Sequence, residues 1–413
     1  MRVALTVADF MDRAALVYGH RTAVVDEPGA AGSFGSLTYS EVSARARGLA
    51  LALDDLGVEH GERVAIVSPN SGRFLTSFFG VSGYGRILVP INFRLTSDEI
   101  AYVVEHSGAS VLLYDPDMDD EVDAIKVAHR FRLDGTEDAG LFAPAPEGAE
   151  PKAWLADEDA TCSVNYTSGT TARPKGVQLT QRNCWLNAAS FGWHTGVSDR
   201  DVLLHTLPMF HCNGWGMPYA VTGMGGAHIV LRKVDGEEIL SRIERHGVTL
   251  LCGAPAVVAA ILGAAEAREA AGRTVPGRGT VRMVVAGAPP PSKTIERIET
   301  ELGWEFIQIY GLTETAPLLT INRAPAEWDA LEPAERSQLL SRAGTPAIGV
   351  RIEIDTDGEV LAQSNHVFAG YWEQPEETRK ALEGGWFHTG DGGYLDGAYT
   401  VISDRKKDVI ITG

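Results

Sequence analysis

Residues 166–177 read YTSGTTARPKGV, and they hold the residue types that phosphate handling requires. Thr167, Ser168, Thr170 and Thr171 crowd around Gly169, and Lys175 follows a few positions on. Hydroxyls and uncovered backbone N–H groups can cradle phosphate oxygens, and a lysine adds a compact positive charge. A short apolar run at 162–166 reads as a strand, so the loop would open from a strand end. The spacing is not that of the common phosphate loop, which needs Gly, four residues, then Gly-Lys-Ser/Thr. Here Gly169 is followed by four residues and then by Pro174, Lys175 and Gly176. Taken alone, a stretch rich in Ser, Thr and Gly is also what a polar surface turn looks like, and the residues leave that reading open.

Three further stretches bear on the choice: YGLTE at 310–314, WFHTGD at 386–391 and DRKKD at 404–408. In this order the four resemble the motifs of the adenylate-forming superfamily, which holds acyl-CoA synthetases, luciferases and peptide-synthetase adenylation domains. The resemblance runs from Leu37-Thr38-Tyr39 to Gly413. It implies an α/β fold: a large N-terminal domain of stacked, mostly parallel sheets flanked by helices, plus a small antiparallel β subdomain. It also implies a chemistry. A carboxylate is a poor electrophile because its leaving group would be oxide. Attack of the carboxylate on the α-phosphate of ATP, with loss of pyrophosphate, gives an acyl-adenylate that a thiol can open.

That reaction needs a phosphate cradle, a divalent cation, a nucleoside pocket and a carboxylate pocket. The resemblance supplies a candidate for each. The cradle is Thr167, Ser168, Gly169, Thr170, Thr171 and Lys175. Glu314 is the metal-side glutamate, suited to Mg²⁺ because that ion takes one or two carboxylates plus substrate phosphates; a solvated loop glutamate is the plainer alternative. Beside it Gly311 belongs to the same motif, and Thr313 would reach the α-phosphate. Tyr310 offers a ring face to adenine, and Gly287, Ala288 and Pro289 offer flat backbone free of large side chains. Asp391 has two oxygens with which to accept from both ribose hydroxyls, and Arg405 would add a donor to the same sugar. As plainer readings, Asp391 could cap a turn and Arg405 could be a surface cation. Catalytic roles fall on Thr167, Lys175, His211 and Glu314, with ATP, Mg²⁺ and coenzyme A as cofactor, metal and co-substrate.

The acid pocket centres on LPMFHCNGW at 207–215. Amino-acid-activating relatives place an aspartate after the phenylalanine to pair the α-ammonium, whereas this chain has His211. The stretch resembles medium- and long-chain fatty acyl-CoA synthetases, with His211 beside the acyl carbonyl and Trp215 gating an acyl tunnel or simply filling core. The expected function is therefore activation of a carboxylic, fatty-type acid to acyl-adenylate and then acyl-CoA. Two alternatives stay open: delivery to a carrier-protein thiol, and a nucleotide- or acyl-binding module without turnover. Two positions depart from the family: Ala172 and Ala286 stand where glycine is usual. Alanine at a position needing positive φ costs on the order of 1 kcal/mol.

These residues need a scaffold. Thr38 with Glu41, and Thr96 with Glu99, read as capping boxes. Each precedes an apolar helical face: Val42, Ala46, Leu49, Ala50 and Leu53 after the first, Ile100, Val103 and Val104 after the second. Apolar runs at 64–67, 87–91 and 109–114 alternate with these helices, as in a parallel sheet covered on both faces. Residues 116–158 are acidic and rich in Pro and Ala, which predicts a surface connection with room for one short strand or helix, a plain solvated segment being the favoured reading. Beyond them, strands at 202–206, 228–231, 250–253, 281–286 and 306–310 alternate with helices at 183–191, 237–246, 256–271 and 292–302. From Gly344 the pattern changes to period two, predicting antiparallel strands. The resulting division is 1–343 for two α/β subdomains with ATP and acyl sites and 344–403 for the small β subdomain; the resemblance implies that 404–413 is a hinge segment with Lys407 as pivot. The family continues into a further C-terminal domain. These 413 residues on their own are expected to bind ligands and turn over slowly.

Composition sets outer limits. The chain of 413 residues has a net charge of −19 and 44% hydrophobic residues. The charge argues against nucleic acid and anionic membrane surfaces as partners; the partners that the resemblance implies are small molecules, the acid, ATP and CoA. No apolar run is long enough for stable membrane insertion, and the start shows no signal-peptide pattern. Four cysteines without paired metal spacing read as reduced thiols of a cytoplasmic protein. Acyl chain length and oligomeric state, a homodimer included, are left undetermined.

Overall fold

The computed structural model describes residues 1–167, 173–288 and 290–405, the last two of these in backbone only. The chain forms two compact units. The first comprises residues 1–200, 208–232 and 368–373, and the second 201–207, 233–367 and 374–413.

Among the described residues, the first unit is built on a seven-stranded sheet. Arg63–Val67 sits between Ile87–Ile91 and Val111–Tyr114, parallel to both. The row continues in parallel to His129–Arg132 on one side and Thr161–Thr167 on the other. It then turns antiparallel: Lys175–Thr180 pairs with Thr161–Thr167, and Gly370–Tyr371 pairs with Lys175–Thr180. Both predicted capping boxes are present, at the starts of Tyr39–Asp55 and Ser97–Ser107, each contributing roughly 0.5–2 kcal/mol to its helix. The predicted apolar faces are the buried ones. Ile100, Val103 and Val104 join Ala65, Val67, Val89, Ile91, Leu112 and Val164 in a single core under the sheet.

In the second unit Val202–His205, Leu250–Gly253, Arg282–Val285 and Glu305–Gly311 lie side by side in parallel. Leu318–Arg323 then pairs antiparallel with Glu305–Gly311. Arg351–Ile354, Glu359–Gln363, Phe387–Asp396 and Tyr399–Arg405 form a four-stranded antiparallel sheet, the period-two region of the sequence. No helix among the described residues is long and apolar enough to cross a membrane.

One expectation fails. The stretch 116–158 is not merely a solvated connection. It contains a short helix, Asp119–Val122, and the strand His129–Arg132, and Leu133, Asp138, Leu141 and Phe142 are buried. The reason is electrostatic. Arg73, buried on the helix Gly72–Gly80, pairs with the fully buried carboxylate of Asp138, which also accepts from the Gly135 N–H at 2.7 Å. The Arg73 guanidinium lies 4.3 Å from the centre of the Phe34 ring and 5.6 Å from that of Phe142. A buried guanidinium needs a counter-charge, and only a folded 133–142 segment provides this one. Removing one partner of a buried ion pair costs about 3–5 kcal/mol. Asp138→Ala is therefore expected to lower the urea midpoint by a corresponding amount. A midpoint unchanged within error would show that the ion pair does not hold the segment.

Candidate active site

The loop of the phosphate candidate is closed by a β-pairing. Thr167 and Lys175 are register partners at the loop end of the hairpin formed by Thr161–Thr167 and Lys175–Thr180, so the two residues stand side by side on one face at the mouth of the loop. Ser168, Gly169, Thr170, Thr171 and Ala172 lie outside the described residues. Lys175 is half-buried, with its Nζ 4.8 Å from the centre of the Tyr371 ring. The Trp372 N–H donates to the Gly176 carbonyl at 2.7 Å. Tyr371 was not legible as a site residue. Its link to Lys175 is a strand pairing almost two hundred positions away, and the only local signal is an aromatic pair after glycine.

His211 and Trp215 also belong to the first unit, and they sit on an unusual backbone. From Cys212 to Gly216 five consecutive residues are left-handed, with φ of 46°, 52°, 59°, 59° and 77°. For Cys212 and Trp215 this costs roughly 1–2 kcal/mol each; asparagine and glycine tolerate it better. Both strained residues are buried, Trp215 being 5% exposed. Burying a large apolar side chain gives about 1.5–3 kcal/mol, so burial and strain are of similar size and the turn persists only where packing and hydrogen bonds together hold it. Gly216 is required twice over: its φ is positive, and a Cβ there would meet the Asn187 amide nitrogen at 2.5 Å. Asn187 also donates to the Trp215 carbonyl at 3.1 Å. His211 opens the turn. Its surface is reachable by solvent, yet surrounding protein desolvates the ring and lowers its pKa. At neutral pH it is therefore an uncharged donor or acceptor.

In the second unit the nucleoside candidates meet. Val285 and Gln308 are register partners on parallel neighbours, so Gly287, Ala288 and Tyr310 emerge from the same edge of the sheet. Gly287 and Ala288 are exposed, with Gly287 at φ 96°; Pro289 lies outside the described residues. The Tyr310 hydroxyl donates to an Asp391 carboxylate oxygen at 2.8 Å, and Asp391 is 5% exposed. One oxygen is thus oriented by the phenol, and a carboxylate retains lone pairs for sugar hydroxyls. Asp391 pairs in register with Arg405 across the antiparallel strands; the Arg405 side chain and Lys407 lie outside the described residues. Gly311 has no room for a side chain, since a Cβ would lie 1.6 Å from the Pro317 carbonyl oxygen. That close approach forces the sharp turn from which the 3₁₀ turn Thr313–Thr315 starts, with Thr313 buried and Glu314 half-buried. Among the described residues no group of three His, Cys, Asp or Glu could hold a metal ion by itself. Mg²⁺ takes one or two carboxylates together with substrate phosphates, and the half-buried Glu314 carboxylate is of that type.

Residues 11–372 match the AMP-binding enzyme family. The chain belongs to that family. The relatives it matches include acid–CoA ligases. It is 36% identical over 448 residues to a 2-methylpropanoate–CoA ligase of Humulus lupulus, with 99% of this chain and 78% of that one covered. It is 35% identical over 432 residues to a long-chain-fatty-acid–CoA ligase of Thermus thermophilus, with the same shares covered. Among solved structures, the N-terminal domain of FACL13 from Mycobacterium tuberculosis superposes with a TM-score of 0.83 at 28% identity, covering 98% of this chain and 100% of that one.

The nucleoside assignment makes a sharp expectation. A hydrogen bond to a charged group contributes about 1.5–3 kcal/mol, so Asp391→Asn should weaken AMP binding about tenfold or more. Calorimetry with 2′,3′-dideoxy-AMP separates the causes, because the loss should shrink when the ribose hydroxyls are absent. An equal loss for both nucleotides would place Asp391 away from the sugar.

Proposed function

We propose that this protein joins an aliphatic, fatty-type carboxylic acid to AMP and passes the acyl group to the thiol of coenzyme A. The observation that carries the proposal is the pairing of Tyr310 with Asp391 beside the exposed backbone of Gly287 and Ala288, in a chain of the AMP-binding enzyme family. The aliphatic class is supported by the relatives, which span a branched short acid and long-chain acids, and by His211, where an amino-acid-activating site would need a carboxylate. The four free, buried cysteines fit a reducing compartment such as the cytoplasm.

In this reading the carboxylate oxygen attacks the α-phosphorus of ATP, and pyrophosphate leaves. Lys175 and Thr167 hold phosphate oxygens at the hairpin mouth, with the cradle Ser168, Gly169, Thr170 and Thr171 between them. Thr313 reaches the α-phosphate. Glu314 would hold Mg²⁺, which when bound supplies positive charge to the phosphate oxygens. Tyr310 and the Gly287–Ala288 backbone flank adenine, and Asp391, with Arg405, fixes the ribose. His211 stays neutral beside the acyl group and can donate to its carbonyl without pairing its charge. The thiol then attacks the acyl carbon, and AMP departs with the bridging oxygen. Segment 404–413, with Lys407 as pivot, is proposed as the hinge between the two half-reactions, by analogy with the family.

Removing one preorganised donor from a developing charge costs about 10²–10³ in rate. Lys175→Ala and Glu314→Gln are expected to slow acid-dependent ATP–pyrophosphate exchange by that order while both proteins melt within a few degrees of the parent. Chelation of Mg²⁺ should abolish exchange in the parent and its readdition restore it. Full exchange in both variants would remove the phosphate and metal assignments.

An acid panel tests the substrate class. Straight and branched aliphatic acids should support exchange better than any α-amino acid, and Trp215→Ala should shift preference toward longer or bulkier acids. That substitution also costs stability, about 3–5 kcal/mol for a buried tryptophan. Acyl-CoA formation, measured in parallel on these 413 residues and on any longer chain containing them, tests the hinge. An amino-acid preference would sink the pocket reading. Equal thioester rates for the two chains would sink the hinge.

A further inference from the structure

The strand that leads into the phosphate loop carries two buried polar side chains on one face. Ser163 and Asn165 are 0% and 2% exposed, and they are joined by a hydrogen bond of 2.9 Å from the Ser163 hydroxyl to the Asn165 amide oxygen. The Asn165 amide nitrogen donates to the Asn213 amide oxygen at 3.1 Å. The Asn213 amide nitrogen donates back to the Ser163 hydroxyl at 2.8 Å. The three side chains thus close a ring in which each donates once and accepts once, and no water reaches it. Asn213 is also 2% exposed and is the second residue of the left-handed turn, between His211 and Trp215. Its second amide hydrogen faces the Cys184 sulfur, 3.8 Å from the nitrogen.

Opposite faces of the same strand do different work. Val164 is in the apolar core and Tyr166 packs against it, which fixes the strand. Ser163 and Asn165 point the other way and hold the turn. Two residues after Asn165 comes Thr167, the first hydroxyl of the phosphate cradle. The ring therefore references the acyl-side residues and the phosphate-side residues to one rigid strand. A closed ring of buried polar groups is costly to leave half-made, since each orphaned donor or acceptor loses its partner without gaining water. It admits a single register between turn and strand, whereas apolar packing alone would tolerate sliding.

We infer that Asn213 is a positioning residue for the acid, acting through Ser163 and Asn165 to fix where His211 and Trp215 stand relative to the phosphate loop. The inference rests on the acid-activating reading given above. It predicts an effect on the acyl portion of the ligand that spares the nucleotide portion, which a residue needed only for folding would not give.

The test uses Asn213→Gly, because glycine keeps the left-handed backbone accessible and removes only the amide, and Ser163→Ala as a milder break in the same ring. Each protein is titrated with AMP and with the 2′-hydroxyl-bearing acyl-sulfamoyl-adenosines carrying 2-methylpropanoyl or decanoyl groups. The parent should bind at least one acyl analogue more tightly than AMP. For that analogue Asn213→Gly should weaken binding roughly tenfold or more, while AMP affinity changes less than about twofold. Ser163→Ala should act in the same direction, and its effect should largely vanish when added to Asn213→Gly, since the ring is then already open. The inference is overturned if analogue affinity is unchanged in Asn213→Gly, if AMP and analogue weaken in proportion, or if the two substitutions act additively. A parent that binds AMP and both analogues equally would instead overturn the acid-activating reading, and the inference with it.

Discussion

The antiparallel pairing of Thr161–Thr167 with Lys175–Thr180 is the constraint on which the chemistry proposed for the first unit depends. Parallel strands need long crossovers, whereas an antiparallel pair can be joined by a short loop. A short loop held at both ends by sheet hydrogen bonds loses little entropy when it binds phosphate, because the ends are already fixed. The same pairing sets Thr167 opposite Lys175 and offers Lys175–Thr180 as the edge to which Gly370–Tyr371 adds, bringing the Tyr371 ring under the lysine. On the face that Thr167 shares, the strand Thr161–Thr167 carries the polar ring that reaches Asn213. One strand thus serves as the datum for a phosphate loop, an aromatic support and a strained turn.

The nucleoside site proposed for the second unit solves a different problem by different means. A nucleoside needs a flat surface and two acceptors at fixed separation. Parallel strands that end at the same level supply the surface, since Val285 and Gln308 are in register and the chain beyond them is Gly287 and Ala288 on one strand and Tyr310 on the next. The acceptor comes from the antiparallel sheet, where Asp391 is held by the Tyr310 phenol and by its own N–H bonded to the Thr389 hydroxyl at 3.1 Å. Buried carboxylates are expensive unless hydrogen-bonded. Here the bonds that make burial tolerable also aim the group.

Much of this was legible in the sequence wherever the cause was local. The boxes Thr38–Glu41 and Thr96–Glu99, the apolar faces behind them and the period-two strands after Gly344 each depend on residues within a turn or two, and all three formed. Two of the four motifs supplied residues that the fold brings together, Tyr310 and Asp391. What escaped notice had distant causes. The burial of Leu133, Asp138 and Phe142 depends on Arg73, some sixty positions earlier, and the composition around them resembles a solvated linker. The support of Lys175 by Tyr371 depends on a two-residue strand with no periodicity of its own. In the turn 212–216, Asn213-Gly214 was a fair signal for positive φ, but Cys212 and Trp215 carry no such signal, because their conformation is imposed by burial and by Asn187. The cradle residues 168–171 stay as the sequence presented them.

The central claim is that a carboxylate of the substrate attacks the α-phosphate, and oxygen labelling tests it directly. The protein would be incubated with Mg·ATP, a carboxylic acid doubly labelled with ¹⁸O, and hydroxylamine to trap the activated acyl group without requiring coenzyme A. The account predicts one ¹⁸O atom in the AMP released, none in pyrophosphate, and hydroxamate equal in amount to AMP. Label in inorganic phosphate with formation of ADP, or AMP released without label, would contradict it.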